Sequence, residues 1–547
     1  MSGKQNFDYI ICGGGSAGCT LAARLSEQDD VRVLLLEAGG WDQDPWIHIP
    51  LGWGRILQKR LHDWMYFSEP SATMDNRAIE CARGRVIGGS SSINAMAYYH
   101  GHRSDYDRWA AAGLNGWSFA EILPYFRRSE DWEEGASTYR GAGGPLSTKW
   151  TTFKDPICEA FFSAARLAQY PIIEDYNGRD TEGFARMQAT IRQGRRCSAA
   201  AAYLKPALKR PNLKVKTGVL VSKVIFEGTT AIGVNYLKGK ETRTVRAERE
   251  VILAGGSINS PQLLMLSGIG DGDLLRSLGI DVVADVSGVG QNLSDHTSSS
   301  IVFKRKSPGT FQQNMRLDRV GLSLIKSYFG FGGFASDLPF GITAFLKSSI
   351  ECTVPDLQLL FWMGATTTAK PWLPPFQNGF DDSFSIRAMP MYPISRGNIS
   401  ISSMNPAAPP IIRQNFLSCE KEREVMRRGL RIIRELVRSK ALGDFAGDEL
   451  APGENIKSDA ELDAHVRKTM ITVHHPVGTC KMGTDNDPTA VVDDSLSVRG
   501  VEGLRVVDAS VMPDLIGGAT NAPVIMIAEK AADMLKGNVP LPKAVLL

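Results

Sequence analysis

The chain has 547 residues, of which 43% are hydrophobic and 22% charged, and a formal net charge of +3. That length exceeds what one hydrophobic core supports, so two domains are expected in an ordinary globular composition. The near-neutral charge, with no Lys/Arg block, argues against a nucleic-acid partner, and no apolar run approaches the roughly 18 residues of a membrane span.

The first apolar run begins within about seven residues of Met1, which leaves no room for the charged, apolar and cleavage regions of a signal peptide. Eight scattered cysteines (Cys12, Cys19, Cys81, Cys158, Cys197, Cys352, Cys419 and Cys480) include no C-x-x-C pair. They read as reduced thiols rather than a disulfide framework or a metal site, and a cytoplasmic protein is expected.

In chain order, the most informative stretch is Asp8 to Gly40. A short apolar run (Tyr9 to Ile11) leads to Gly13, Gly15 and Gly18 in G-x-G-x-x-G spacing; a small-residue helix start at Ser16 and a second apolar run, Val31 to Leu36, follow, and then Glu37 and Ala38. Strand, glycine turn, helix, strand and acid is the order of a dinucleotide-binding unit. Gly13 permits the turn, Gly15 lets backbone approach a pyrophosphate, and Gly18 lets the helix pack closely. The helix N-terminus offers unpaired N–H groups to phosphates. Glu37, about 20 residues beyond the glycines, is placed to accept hydrogen bonds from a ribose. This segment alone does not decide between NAD and FAD.

Residues 212–254 alternate as strands, ending in Ala254-Gly255-Gly256 before a helix expected from Ser260 to Ser267. From about Ser298 to Asn415 the chain is rich in aromatics, among them Phe303, Phe329, Phe331, Phe361, Trp362 and Trp372. This region reads as much of a substrate-capping domain built on a sheet, its aromatics serving as pocket walls or as plain core. Residues 325–340 suit a mobile loop, an interfacial patch or a buried loop. Lys421 to Val437 has the charged amphipathic pattern of a surface helix. Near the C-terminus, Val506-Val507-Asp508 reads as a core strand delivering a carboxylate, and a helix is expected from Asn521 to Leu535.

Four further segments are more specific: Gly84-Arg85-Val86-Ile87-Gly88-Gly89-Ser90-Ser91-Ser92-Ile93-Asn94, the run from Gly256 to Gly270, Gly288-Val289-Gly290-Gln291-Asn292-Leu293-Ser294-Asp295-His296, and His475-Pro476-Val477-Gly478-Thr479. With the opening fingerprint, they make the whole chain resemble the glucose–methanol–choline (GMC) oxidoreductases. The resemblance implies an α/β fold in which a Rossmann-like FAD-binding domain (1–150, 195–297 and 485–547) interleaves with a substrate-binding domain (151–194 and 298–484). The latter is built on an antiparallel sheet with helices.

The same resemblance implies FAD as cofactor. Gly13, Gly15, Ser16, Glu37 and Ala38 would hold its adenosine and pyrophosphate, and Val221 its adenine. Val86, Gly88, Ser90 and Asn94 would flank the flavin and pyrophosphate. Asp508 and Ala509, with Asn521 and Pro523, would hold the ribityl chain and the pyrimidine end of the ring. Members that tether FAD covalently use a histidine where this chain has Ile93, so non-covalent FAD is expected.

Alcohol oxidation requires a group that takes the hydroxyl proton, and a neutral histidine suits this near neutral pH. The resemblance assigns that role to His475, one of eight histidines, with His474 beside it as a substrate contact, a second titrating group or a packing residue. Relatives often place a second His or Asn at the position of Ala519, which has no hydrogen-bonding group. The implied activity is oxidation of a primary alcohol, apolar or aromatic to heteroaromatic, to an aldehyde, with oxygen or a quinone or dye as acceptor. A hydroxynitrile-lyase-like enzyme, a pyridoxine-type alcohol oxidase and an inactive flavin-binding protein stay open as alternatives. So does a peripheral membrane contact.

Overall fold

Short-range sterics build the first unit. β1 (Asn6–Cys12), α1 (Ser16–Leu25) and β2 (Val33–Leu36) follow one another, β1 and β2 pairing in parallel with Ile10 opposite Leu34. Two glycines make the connection possible. Gly13 sits at φ +115°, and a Cβ on Gly18 would lie 1.8 Å from the Gly13 carbonyl oxygen. The computed structural model describes residues 6–364 and 369–546.

β1 and β2 are central in a seven-stranded sheet. Leu213–Lys216 lies beyond β2, and Glu241–Leu253 lies beside β1 in parallel. Leu504–Val506 adds another parallel strand, while Leu220–Glu227 and Thr230–Lys238 extend the edge as an antiparallel meander. β2 and the C-terminal ends of β1 and Glu241–Leu253 are buried on both faces, which explains their continuous apolar runs. The last helix, Asn521–Lys536, packs on α1, so chain segments from both ends close one core.

A second seven-stranded sheet is antiparallel throughout. Its order is Ala446–Ala451, Thr297–Arg305, Ser383–Pro390, Leu357–Trp362, Ile342–Leu346 and Gly183–Arg186, and the short strand Ile471–Thr472 also pairs with Thr297–Arg305. One face is a core of Phe161, Phe184, Phe303, Phe361, Phe384 and Ile386. The helix Glu420–Val437 lies on it through Met426, Leu430, Ile433 and Leu436, and Arg434 forms a buried ion pair with Glu449. Segments read from sequence as part of the cap also reach the first core, through Ile399, Ile401, Ile412, Val477, Cys480 and Met482.

The aromatic region therefore divides by strand alternation. Phe303 and Phe361 are core, whereas Trp362 turns to the opposite face. Leu317–Tyr328 is a helix, and Phe329 and Phe331 beyond it are exposed. All eight cysteines are free. Among the described residues no helix is long and apolar enough to cross a membrane.

Candidate active site

A cavity of about 560 Å³ runs between the two sheets. Three helices begin on its wall. Gly15 and Ser16 open α1, Gly256 and Ser257 open Gly256–Leu266, and Thr520 and Asn521 open the last helix. Ser16 Oγ donates to Asn521 Oδ1 at 2.7 Å, tying two of these starts together. The uncapped starts of α1 and the last helix, with the positive ends of their dipoles, make this an anion-receiving floor, while at the third start the Gly256 N–H is taken by Asp508.

The floor is shaped for a close-lying, extended ligand. A Cβ on Gly15 would meet only the Ala254 carbonyl, at 3.9 Å, so that face is open. The Gly88–Gly89 turn backs onto it: the Gly88 N–H donates to the Gly14 carbonyl at 2.7 Å, and a Cβ on Gly89 would lie 2.7 Å from the Gly15 Cα. Glu37 accepts from the N–H groups of Gly14 and Gly39 at 2.7 Å each. A carboxylate has about four acceptor positions, so Glu37 retains capacity for ribose hydroxyls. Burial raises its carboxyl above the usual range. These features fit a dinucleotide such as FAD.

Of the residues singled out from sequence, Gly13, Gly15, Ser16, Glu37, Ala38, Ser90, Asn94, Val221, Asp508, Ala509, Asn521, His474 and His475 all line the cavity. Val86, Gly88 and Pro523 stand behind it. Val86 is buried with Ile47 and Ile56, Gly88 clamps the two glycine turns, and Pro523 is buried in the first turn of its helix. Asp508 is committed to the protein: Oδ2 accepts from Gly256 N–H and Ser260 Oγ, and Oδ1 from the N–H and Oγ of Ser510.

The two histidines follow the Ile471–Thr472 strand. His474 takes a left-handed backbone, φ 66°, a conformation uncommon outside glycine and typical of functional turns. Its carbonyl accepts from Arg83 Nη2 at 2.7 Å, and its own N–H donates to Thr472 Oγ1 at 2.8 Å. The His475 N–H donates to Asp295 Oδ1 at 2.7 Å, while Asp295 Oδ2 accepts from Thr472 Oγ1. Burial pushes the Asp295 carboxyl up to about 6.

A third histidine decides the protonation pattern. His296 Nε2 lies 2.9 Å from the Met391 carbonyl oxygen, and its Nδ1 lies 3.0 Å from His475 Nδ1. A carbonyl only accepts, so His296 Nε2 carries the proton and its Nδ1 is the acceptor. His475 Nδ1–H must then donate, which leaves the lone pair on His475 Nε2. Burial lowers His296 to about 4 and His475 well below the ordinary histidine value, the latter helped by His296 and Arg83, so both rings are neutral near pH 7. The sequence motif contained Asp295 and His296 without pointing to this role. Arg196 was also missed: buried, it donates to the carbonyls of Ile47, Ser91 and Asn94 and to Asn94 Oδ1, fixing the turn that presents Asn94.

The cavity also has apolar and aromatic walls, including Trp53, Leu57, Phe340, Leu360, Trp362 and Met389. Ala519 lies there too, presenting only a methyl group.

GMC oxidoreductase family models match residues 7–298 and 393–528. The chain belongs to the GMC oxidoreductase family. It is an FAD-dependent oxidoreductase of the class acting on CH–OH donors. It is 45% identical to the mitochondrial choline dehydrogenase of Mus musculus, over 98% of this chain and 90% of that protein. It is 42% identical to the oxygen-dependent choline dehydrogenase of Photobacterium profundum, over 98% and 94%. Among solved structures, pyridoxine 4-oxidase from Mesorbium loti superposes with a TM-score of 0.86 at 33% identity, covering 98% of this chain and 100% of that one. A formate oxidase superposes at 0.89 with 27% identity, covering 98% and 99%.

Proposed function

We propose that this GMC oxidoreductase oxidises a primary alcohol with an apolar or aromatic body to the aldehyde, with His475 as the base. The observation that carries this reading is the Met391–His296–His475 chain. It holds His475 in one tautomer, with an unprotonated Nε2 to take the hydroxyl proton, and it keeps the imidazole from rotating away. Taking that proton leaves His475 cationic, with its Nδ1–H still donating to His296. Bound FAD supplies the acceptor for the hydride that leaves the alcohol carbon. The helix starts at Ser16, Ser257 and Asn521 would hold it, with Glu37 and Val221 at its adenosine end and Ser90, Asn94 and Ala509 nearer the flavin. Ile93, on the cavity wall, has no nucleophile with which to tether it. The surrounding aromatic and aliphatic side chains exclude water from the proton and hydride transfers.

The test is anaerobic bleaching of the yellow protein by a panel of alcohols, repeated with His475→Ala. That variant is expected to retain FAD and to bleach at least roughly 10²-fold more slowly, the low end of general-base contributions. Near-wild-type bleaching would remove His475 from the role.

A further inference from the structure

Arg387 is a charge in the cavity wall that meets no carboxylate among the described residues. It lies on Ser383–Pro390, where alternation turns its neighbours Ile386 and Ala388 into the second core and leaves Arg387 and Met389 on the cavity face. Its guanidinium carbon stands 4.7 Å from the centre of the Trp362 ring, a packing that orients the planar fork. Its Nε is buried without a hydrogen-bond partner, and among the described residues no carboxylate pairs with it. Arg140, Arg305 and Arg434 are buried against carboxylates, those of Glu130 and Asp175, Asp155, and Glu449, and the buried Arg196 donates to oxygens of Ile47, Ser91 and Asn94. Burial lowers Arg387 only to about 10, so it is cationic at neutral pH.

A second donor stands on the same wall. Ser298 Oγ is buried and unpartnered, on the strand next to that of Arg387, where Ser300 lies opposite Arg387. His474 is within reach of this charge, since Arg387 contributes to its depression to about 3, after burial, Arg83 and Arg60. The carboxylates on the cavity wall, Glu37 and Asp508, already accept from protein donors. Among the described residues, the wall therefore offers a cationic fork and a hydroxyl, and no free anion for a quaternary ammonium.

We propose that Arg387, aided by Ser298, receives a carboxylate on the alcohol that this site oxidises. The assignment rests on the alcohol-oxidation reading and narrows its substrate to hydroxy acids with an apolar or aromatic spacer. A planar guanidinium matches a carboxylate with two parallel N–H donors, and an otherwise unpaired buried charge gains its missing partner only when such a ligand binds.

The FAD-loaded enzyme is tested with para-(hydroxymethyl)benzoate, para-methylbenzyl alcohol and choline. The carboxylate alcohol is expected to exceed the neutral one in kcat/KM by roughly 10- to 100-fold, through KM, as a charge-assisted contact dictates. Arg387→Met is expected to collapse that ratio to near unity and Arg387→Lys to restore part of it. A ratio near unity in the wild type, or a preference for choline, overturns the proposal. Calorimetric binding of para-methylbenzoate, which has no hydroxyl, separates the two readings. Binding lost in Arg387→Met while no alcohol bleaches the flavin upholds the anion site and sinks alcohol oxidation. Equal binding in wild type and variant, or none in the wild type, overturns the anion site whatever the alcohols do.

Discussion

At the scale of single residues, the proposed chemistry depends on neutral imidazoles held in low-polarity surroundings. His475 loses the water that would stabilise its cation; its ring faces His296, His474 and Arg83, while the Asp295 carboxylate accepts from its backbone N–H. A base with a lowered pKa stays unprotonated as pH falls through the ordinary histidine value. The kcat/KM profile for the best alcohol is therefore expected to stay level as pH falls through the ordinary histidine value of about 6.5 and to decline only below it. An acid limb centred at or above about 6.5 would show that the bound cofactor or substrate restores an ordinary histidine. Of the candidate site, the residues carried by glycine-rich and His-Pro motifs were legible in sequence. His296 was not assigned because a motif shows neighbours along the chain, whereas its partner His475 lies 179 residues away.

Among elements, the β1–α1–β2 unit is legible almost completely, since its glycine turn and apolar runs are set by contacts between near neighbours. Its tolerance is correspondingly low. Gly18→Ala would put a methyl group into the Gly13 backbone, where no flexible side chain can yield. That substitution is expected to cost about 4 kcal/mol or more, among the largest single-residue effects, and to lower the ratio of flavin to protein absorbance in the purified enzyme. An unchanged ratio and an unchanged Tm would show that the turn can open. The second sheet was harder to read. Its strands alternate between core and cavity, so aromatics such as Phe361 and Trp362, adjacent in sequence, serve opposite faces. The helix Glu420–Val437 has the amphipathic pattern of a surface helix, and only packing reveals the buried Arg434–Glu449 pair beneath it.

Across the whole molecule, the ends of the chain are joined through one buried carboxylate. Glu529, on the last helix, has no exposed side-chain surface and pairs with Arg24 of α1 and Arg128 of the helix Phe119–Ser129, and it also accepts from the Tyr203 hydroxyl at 2.7 Å. Removing it leaves two guanidinium groups without their shared counter-charge. Glu529→Ala is expected to lose about 3–5 kcal/mol in denaturant unfolding followed by tryptophan and flavin fluorescence. A loss below about 1 kcal/mol would place the network among weak, solvent-screened pairs.

The amino-acid sequence by itself determined the dinucleotide unit, the GMC pattern and the histidine-bearing motif, because each is written in residues close enough along the chain to constrain one another sterically or chemically. Tertiary structure alone decided which nitrogen of His475 is free, how segments from both ends of the chain share one core, and that the Arg387 charge faces a cavity whose described carboxylates, Glu37 and Asp508, are taken by other donors. Those properties belong to groups brought together from distant positions, where burial removes water and leaves the nearest side chains to set tautomer, charge and selectivity.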